Sequence, residues 1–405
     1  MSATAIVAVS VVWGWRVQSD PNVKLGAAPL VGQWHVRFGW SLVVAAAIAA
    51  VTVVVSPRFS YRQMLYAMPM LAVGFALSLA ASDGLPHVLD PVVHPTEYWG
   101  NLATLPPAGR MLHDYGTVDF LVRYSVHAKG HPPGFLLVLK GLDAIGLGRP
   151  WVAGALSYLG IAFVPVAVLE TVRRLSDRVA ACRIAPFLVV TPYMVWMGTS
   201  ADAFYAAVGA GGVLLIVVSR DRWWVGFPAG VVLGALLFGT YGGALFLLLP
   251  AFVLFGSRRA WLRPAFAAAA GGAVVTLAFR LAGFWWFDGA TTTKQFYWWG
   301  TAHFRPWHYF LIANLGAAVI AVGPATVVAL GRLRDRRLWL IVGGALVCIV
   351  VADLSQYSKA EVERIWLIFY PWLIPAVAVL PRPRRWLGAQ AMFALALQTV
   401  LVSKW

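Results

Sequence analysis

Charge is what this sequence lacks most. Only 12% of its 405 residues are Asp, Glu, Lys or Arg, about half the share found in water-soluble domains. The carboxylates number just 16, and mean hydropathy is +0.74. A soluble enzyme and a disordered chain are both excluded. Cysteine is nearly missing as well. Cys182 stands among arginines and Cys348 inside an apolar run, so neither a disulfide scaffold nor a cysteine metal site is expected. There is no Gly/Ser linker, no repeat of obvious period and no polar tail, so residues 1–405 read as a single transmembrane domain. The alternating pattern of a β-barrel is missing too, because the apolar runs are continuous. Residues 3–15 lack a basic n-region and a small-residue cleavage site. They are expected to be a short first helix, not a cleaved signal peptide.

What is present is apolar sequence, 60% of the chain. At about 20 residues per pass, the runs predict spans near 3–15, 39–56, 65–82, 151–171, 184–199, 203–219, 224–239, 242–256, 264–284, 308–331, 338–354, 365–381 and 386–403. The expected fold class is an all-α polytopic membrane protein, a bundle of about 13 transmembrane helices with a long first extracytoplasmic loop.

The net charge of +16 has a membrane explanation. Six short loops carry the arginines: Arg58 and Arg62; Arg173, Arg174, Arg178 and Arg183; Arg220 and Arg222; Arg258, Arg259 and Arg263; Arg332, Arg334, Arg336 and Arg337; Arg382, Arg384 and Arg385. Together they hold 18 of the 32 basic residues. The positive-inside rule places them in the cytoplasm, and no nucleic-acid partner is expected. The alternate loops, residues 16–38, 83–150, the turn at Asp202, 285–307 and 355–364, then face outward. All eight histidines and 12 of the 16 carboxylates lie in or beside them. The segment PPGFLLVLKGLDAIGL (132–147) resembles a span but is short and is interrupted by Lys140 and Asp143. A mid-bilayer charge costs about 2.5–3.5 kcal/mol on insertion scales, so an interfacial helix is expected there. This parity gives a plasma-membrane protein with a cytoplasmic amino terminus.

Residues 83–134 form the longest polar stretch, with aromatic residues interleaved throughout. Asp83 stands at the mouth of a span, Glu97 precedes Tyr98 and Trp99, and Lys129 and His131 precede a Pro-Pro-Gly break. A surface carboxylate can act as general base on an acceptor hydroxyl. Lysine, arginine and histidine can hold a phosphate leaving group, and aromatic residues at interface depth can hold a lipid chain or a sugar face. Each signal also has a plain reading. Asp83 alone suits a helix cap, Glu97 a first-turn carboxylate, His127 and His131 an incomplete zinc pair, and the tryptophans an aromatic belt. Further outward pieces add Asp202 in a tight turn, Lys294, His303 and Arg305 among aromatics, and Lys359, Glu361, Glu363 and Arg364 bordering a span. The last group equally fits local ion pairs of little worth.

HisProProGly at 131–134, TPYMVWMGTSADAFY at 191–205, RPWHYFLIANL at 305–315 and SKAEVERIWLIFYPWL at 358–373 follow in an order that resembles the GT-C superfamily of integral-membrane glycosyltransferases. The pattern is similar to the branch of protein O-mannosyltransferases and lipid A aminoarabinose transferases, and to uncharacterised actinobacterial multispanning proteins. The resemblance covers roughly residues 65–210. It implies a sugar donor on a polyprenyl phosphate, bound from the outer face and transferred with inversion. It maps the family's catalytic carboxylates onto Asp83, with Glu97 as the rival, and its later outer acid onto Asp202. The family often has adjacent Asp-Glu after the span, whereas Asp83 and Glu97 here are 14 positions apart. Two additional spans also precede the family-like core.

The expected function is glycosyl transfer, hexosyl or pentosyl, to a glycan or protein acceptor of the cell envelope. Asp83, Glu97 and Asp202 are the catalytic candidates. Tyr98, Lys129, His131, Lys294, His303, Arg305, Lys359, Glu363 and Arg364 are the substrate-binding candidates. Membrane lipids are expected partners, and nothing in the sequence requires a cofactor or metal. The rivals are a transporter or flippase, disfavoured by the scarcity of mid-span charge, and a non-catalytic envelope-assembly protein.

Overall fold

A computed structural model describes residues 2–198, 201–256 and 261–403. Arg258 and Arg259 of the expected basic loops, and Thr199 and Ser200 of the TSADAFY stretch, lie outside the described residues.

The fold is all-α and polytopic. Seven helices are long and apolar enough to cross a membrane: Trp40–Arg58, Tyr61–Asp83, Pro150–Leu175, Ala201–Ser219, Leu262–Leu281, Trp307–Arg332 and Arg336–Leu354. They cover the expected spans at 39–56, 65–82, 151–171, 203–219, 264–284, 308–331 and 338–354. Other expected spans are shorter, such as Ala3–Val17 and Gly226–Gly239. Two are broken. Residues 184–199 resolve into the end of helix Arg178–Ile184, then Phe187–Val190 and Pro192–Trp196. Residues 365–381 hold the short 3-10 segments Tyr370–Trp372 and Ile374–Val379. Pro186, Pro192, Pro371 and Pro375 lack the N–H that would continue each helix. Residues 187–198 and 366–378 are buried, which is where irregular backbone is tolerated at membrane depth.

Small residues set how closely the helices approach. Gly226, Gly230 and Gly234 repeat every fourth position along Gly226–Gly239, and a Cβ at Gly230 would overlap the carbonyl of Ala268 in helix Leu262–Leu281. This is the small-residue packing that brings helix backbones together in lipid. Helix Trp307–Arg332 is interrupted at Gly323, whose φ is +75°, ahead of Pro324. Gln390 fills the gap: its Oε1 accepts from Ala325 N–H (3.0 Å) and its Nε2 donates to the Val322 carbonyl (2.7 Å).

Helix Ala201–Ser219 has 19 residues and at 1.5 Å per residue is about 28 Å long. Just past its carboxyl end, Asp221 pairs with Arg174 (3.8 Å). Nearby, Glu170 accepts from Tyr61 (2.7 Å) and pairs with Arg173 and Arg174, and Arg183 donates to the Leu380 carbonyl (3.0 Å). The arginine loops at 58–62, 173–183, 220–222 and 382–385 therefore gather at one end of the bundle. Asp202, in the first turn of the same helix, lies at the opposite end.

The 132–147 segment forms helix Gly134–Ala144, 11 residues long. Its length of about 16 Å is roughly half of a 30 Å hydrocarbon core. Phe135, Leu136 and Leu139 are buried, and Lys140 reaches the Leu105 carbonyl (3.4 Å).

Candidate functional site

Four stretches distant in sequence meet at the Asp202 end. Asn101 joins two of them. Its amide donates to the carbonyls of Glu97 and Tyr98 (both 3.0 Å) and to Ser125 Oγ (2.8 Å), while its Oδ1 accepts from Ser125 N–H (2.9 Å). Ser125 in turn caps helix Val126–Gly130, which carries His127 and leads to His131. The third stretch is the first turn of helix Ala201–Ser219, which supplies Asp202 and, one turn on, Tyr205. That helix lies close against Pro150–Leu175, where a Cβ on Gly160 would strike the Ala203 carbonyl. The fourth is 355–365. Here Gln356, Ala360 and Glu361 all take positive φ, +65°, +73° and +61°. Non-glycine residues pay for that conformation, and it turns Glu361 and Arg364 inward.

Arg364 is the centre of the cluster. Its Nη1 lies 3.1 Å from Asp202 Oδ2 and 3.9 Å from Glu97 Oε1, and its Nη2 lies 3.2 Å from Glu361 Oε2. His127 closes the ring, with Nε2 at 3.5 Å from Arg364 Nη2 and Nδ1 at 3.4 Å from Glu97 Oε2. Burial, with Arg364 adjacent, holds the His127 imidazole well below its ordinary pKa. Neutral His127 with its proton on Nδ1 satisfies both neighbours. Burial likewise lowers His131.

Glu97 is the perturbed acid. Burial raises it to about 7; Arg364 pulls it down, and Asp202 and Glu361 push it further up. A carboxylate titrating near neutrality is suited to general-base work. Beneath it is an aromatic floor. Tyr98 meets His127, His131 and Phe135 edge-on, His131 stacks on Tyr205 (centroids 6.0 Å apart), and the Tyr98 and Tyr205 hydroxyls lie 3.2 Å apart. A cavity of about 20 Å³ beside Glu97 and Ser157 has room for about one water.

The remaining candidates fall elsewhere. Asp83 is at the same end but half-exposed, in an ion pair with Arg37, which also donates to the Leu401 carbonyl. Glu363 is fully buried and faces away: its Oε1 accepts from Val31 N–H (2.8 Å), and burial raises it to about 7. Arg305, Lys359 and His303 form a basic group of their own. Arg305 donates to the carbonyls of Asn22 and Lys359, Lys359 donates to the His303 carbonyl (3.2 Å), and His303 packs on Trp298. Lys129 sits over the Phe296 ring (5.5 Å) on helix Trp286–Trp299, which also carries exposed Lys294. His127, Glu361 and Tyr205 join the cluster although they were not among the expected site residues. Spacing was the available signal: Tyr205 is three residues after Asp202 on one helix face, His127 is four before His131 and Glu361 three before Arg364.

No protein-family model matches the chain, and no curated protein matches it. Solved structures are similar to it, among them two from Archaeoglobus fulgidus. The oligosaccharyltransferase of Archaeoglobus fulgidus, in complex with Zn and sulfate, matches with a TM-score of 0.50 and 13% identity over 90% of this chain and 53% of that one. The fold is shared with an oligosaccharyltransferase. AglB from the same organism, in complex with an inhibitory peptide and a dolichol-phosphate, matches with a TM-score of 0.44 and 11% identity over 90% and 56% of the two chains. The present chain thus spans about half the length of these structures. The likeness is one of fold. Zinc in the first structure prompts a test of this donor set. Among the described residues no three His, Cys, Asp or Glu side chains are arranged to hold a metal. Here the carboxylates face a guanidinium, whose charge opposes a cation at that point.

Proposed function

We propose that this chain is a membrane glycosyltransferase that moves a sugar from a polyprenyl-phosphate donor to a hydroxyl of a glycan or protein acceptor. By the positive-inside rule the arginine end faces the cytoplasm, which leaves the Arg364 cluster on the outer side of a bacterial plasma membrane. In the reaction, Glu97 takes the acceptor proton as the acceptor oxygen attacks the anomeric carbon. The bond from that carbon to the phosphate oxygen breaks on the opposite face, and polyprenyl phosphate leaves. Asp202, held by Arg364, orients the acceptor or the sugar. Arg305, Lys359, Lys129 and Lys294 are the candidate phosphate contacts, and the Tyr98–His131–Tyr205 floor offers a face for the sugar ring. Asp83 is the rival base.

One observation carries this reading: three carboxylates and a neutral histidine converge on a buried arginine at the end of the bundle away from the arginine loops. The oligosaccharyltransferase fold supports it. The direct test is transfer from radiolabelled polyprenyl-phosphate mannose and arabinofuranose by purified protein in nanodiscs. Glu97→Gln and Asp202→Asn should each abolish transfer while eluting as the folded protein does. Full activity in both variants would overturn the assignment. Accumulation of donor lipid in the far leaflet without transfer would favour a flippase.

A further inference from the structure

A second cavity stands apart from the carboxylate cluster. It lies at the arginine end, has a volume of about 750 Å³, and opens between the turn after Trp40–Val54, helix Arg178–Ile184 and the start of helix Pro383–Val400. Arg178, Arg183, Arg382, Arg384 and Arg385 line it, all exposed at its rim. Between them its surface is apolar, with Phe59, Phe187 and Leu387 forming the floor.

The charge there is unbalanced. No carboxylate lines the cavity. Among the described residues none of these five arginines forms a salt bridge, while Arg173 and Arg174 nearby are both paired. Arg183 has only the Leu380 carbonyl, and Arg178 lies over the Tyr61 ring at 5.8 Å. Asp177, next in sequence, caps its own helix through Ala180 N–H (2.7 Å). Arg382 takes a left-handed φ of +52° just before helix Pro383–Val400, a conformation that costs energy for a side-chain-bearing residue. That turn presents Arg382, Arg384 and Arg385 together, and the helix's amino terminus adds positive potential.

Five like charges around one opening repel one another until an anion enters. The floor narrows which anion. A free phosphate would leave the Phe59–Phe187–Leu387 surface bare, whereas a lipid covers it with its first methylenes and offers a phosphodiester to the rim. The cavity is of ligand size and lies at the end of the bundle where these arginines emerge. We propose that it binds an anionic phospholipid of the leaflet on the arginine side. Arg178, Arg384 and Arg385 hold the headgroup phosphate, and the acyl chains run over the apolar floor. This site is separate from the proposed transfer chemistry and does not depend on it.

Native mass spectrometry of the full chain, exchanged into bilayers of equal phosphatidylglycerol and phosphatidylcholine, reads this directly. We expect phosphatidylglycerol to be retained at least tenfold over phosphatidylcholine. Arg384→Gln with Arg385→Gln removes two exposed charges that make no side-chain hydrogen bond among the described residues, so the fold should persist. It should weaken retention by about 30-fold, and Arg178→Gln alone should weaken it by about fivefold. Equal retention of the two lipids, or unchanged retention in both variants, overturns the proposal. Complete displacement of phosphatidylglycerol by millimolar inorganic phosphate also overturns it, because the site would then be one for a free anion.

Discussion

Replacing Arg364 with methionine tests whether one guanidinium holds the cluster together. Arg364 lies 3.1 Å from Asp202, 3.2 Å from Glu361 and 3.9 Å from Glu97. With an effective dielectric of about 20, Coulomb's law gives roughly 5, 5 and 4 kcal/mol for these attractions. Desolvation of the four ions cancels most of that sum, and breaking a buried pair from one side typically costs about 3–5 kcal/mol. Methionine keeps much of the side-chain volume, so the loss reports charge and not a cavity. With about 2 cal/mol/K of unfolding entropy per residue, a chain of this length should lose roughly 4–6 °C in Tm. The pH dependence is the sharper readout. Glu97 is already raised to about 7 in the folded protein, and without Arg364 its pKa rises further. A carboxyl raised on folding contributes stability that is complete below its unfolded pKa and is lost as pH climbs through the folded value. Arg364→Met should therefore lose less at pH 5, where protonated Glu97 has no attraction to lose and only the Asp202 and Glu361 contacts are broken, and should lose most at pH 8. Arg364→Lys, which keeps the charge but not the planar fork, should fall between. Thermal unfolding followed by size-exclusion fluorescence in detergent at both pH values gives the answer. The same Tm loss at pH 5 and pH 8 would refute the electrostatic account, and no loss at either would refute the cluster's structural weight.

Three further outcomes follow from the same geometry. If Glu97 is the base, transfer should rise with pH through an apparent pKa near 7, and Glu97→Gln should remove both the activity and that limb; a rate flat from pH 5.5 to 8 excludes Glu97. Glu363, buried with its Oε2 unpartnered among the described residues and raised to about 7, should weaken the fold as pH rises from about 4.5 to about 7. Glu363→Gln keeps the acceptor for Val31 N–H, so it should raise Tm at pH 8, leave it unchanged at pH 4.5 and leave transfer intact. Asp83→Asn breaks a half-exposed pair with Arg37 worth about 0–1 kcal/mol and should keep most of the transfer activity; its loss would move the base from Glu97 to Asp83.

The helical architecture was legible because hydropathy is a local property. Runs such as 308–331 and 338–354 need no partner to declare themselves. The breaks at 184–199 and 365–381 were written in Pro186, Pro192, Pro371 and Pro375, but averaging hydropathy over a window hides single residues that carry no charge. Lys140 and Asp143 argued against a spanning 132–147 segment, and the helix there, Gly134–Ala144, is 11 residues long. The candidate site was legible only as an inventory. Asp202 and Arg364 were identifiable as scarce charges near span ends, and Glu97 as an acid beside Tyr98 and Trp99 in the long outer loop. Their convergence was not, since Asp202 and Arg364 are 162 positions apart and no spacing rule relates residues on different helices. The pair Glu361 and Arg364 looked like an ordinary surface ion pair at i,i+3, and Asp83 looked prominent because it is the first acid after an early span.

Scarcity gives those few charges their meaning. In a chain with 16 carboxylates, placing Glu97, Asp202 and Glu361 around one arginine concentrates nearly a fifth of the supply in a single buried spot. If stability were all that mattered, apolar residues of similar volume would do as well or better at such a position. The positive-φ backbone at Ala360 and Glu361 adds a conformational cost to the electrostatic one, and strain of this kind gathers at functional sites. Burial then lifts Glu97 toward neutrality and keeps His127 neutral, so the cluster carries a proton acceptor near pH 7. A purely structural staple has no need of that acceptor. Transfer of a hydroxyl proton does, which is why the pH limb of Glu97, more than the loss of activity itself, separates the two roles.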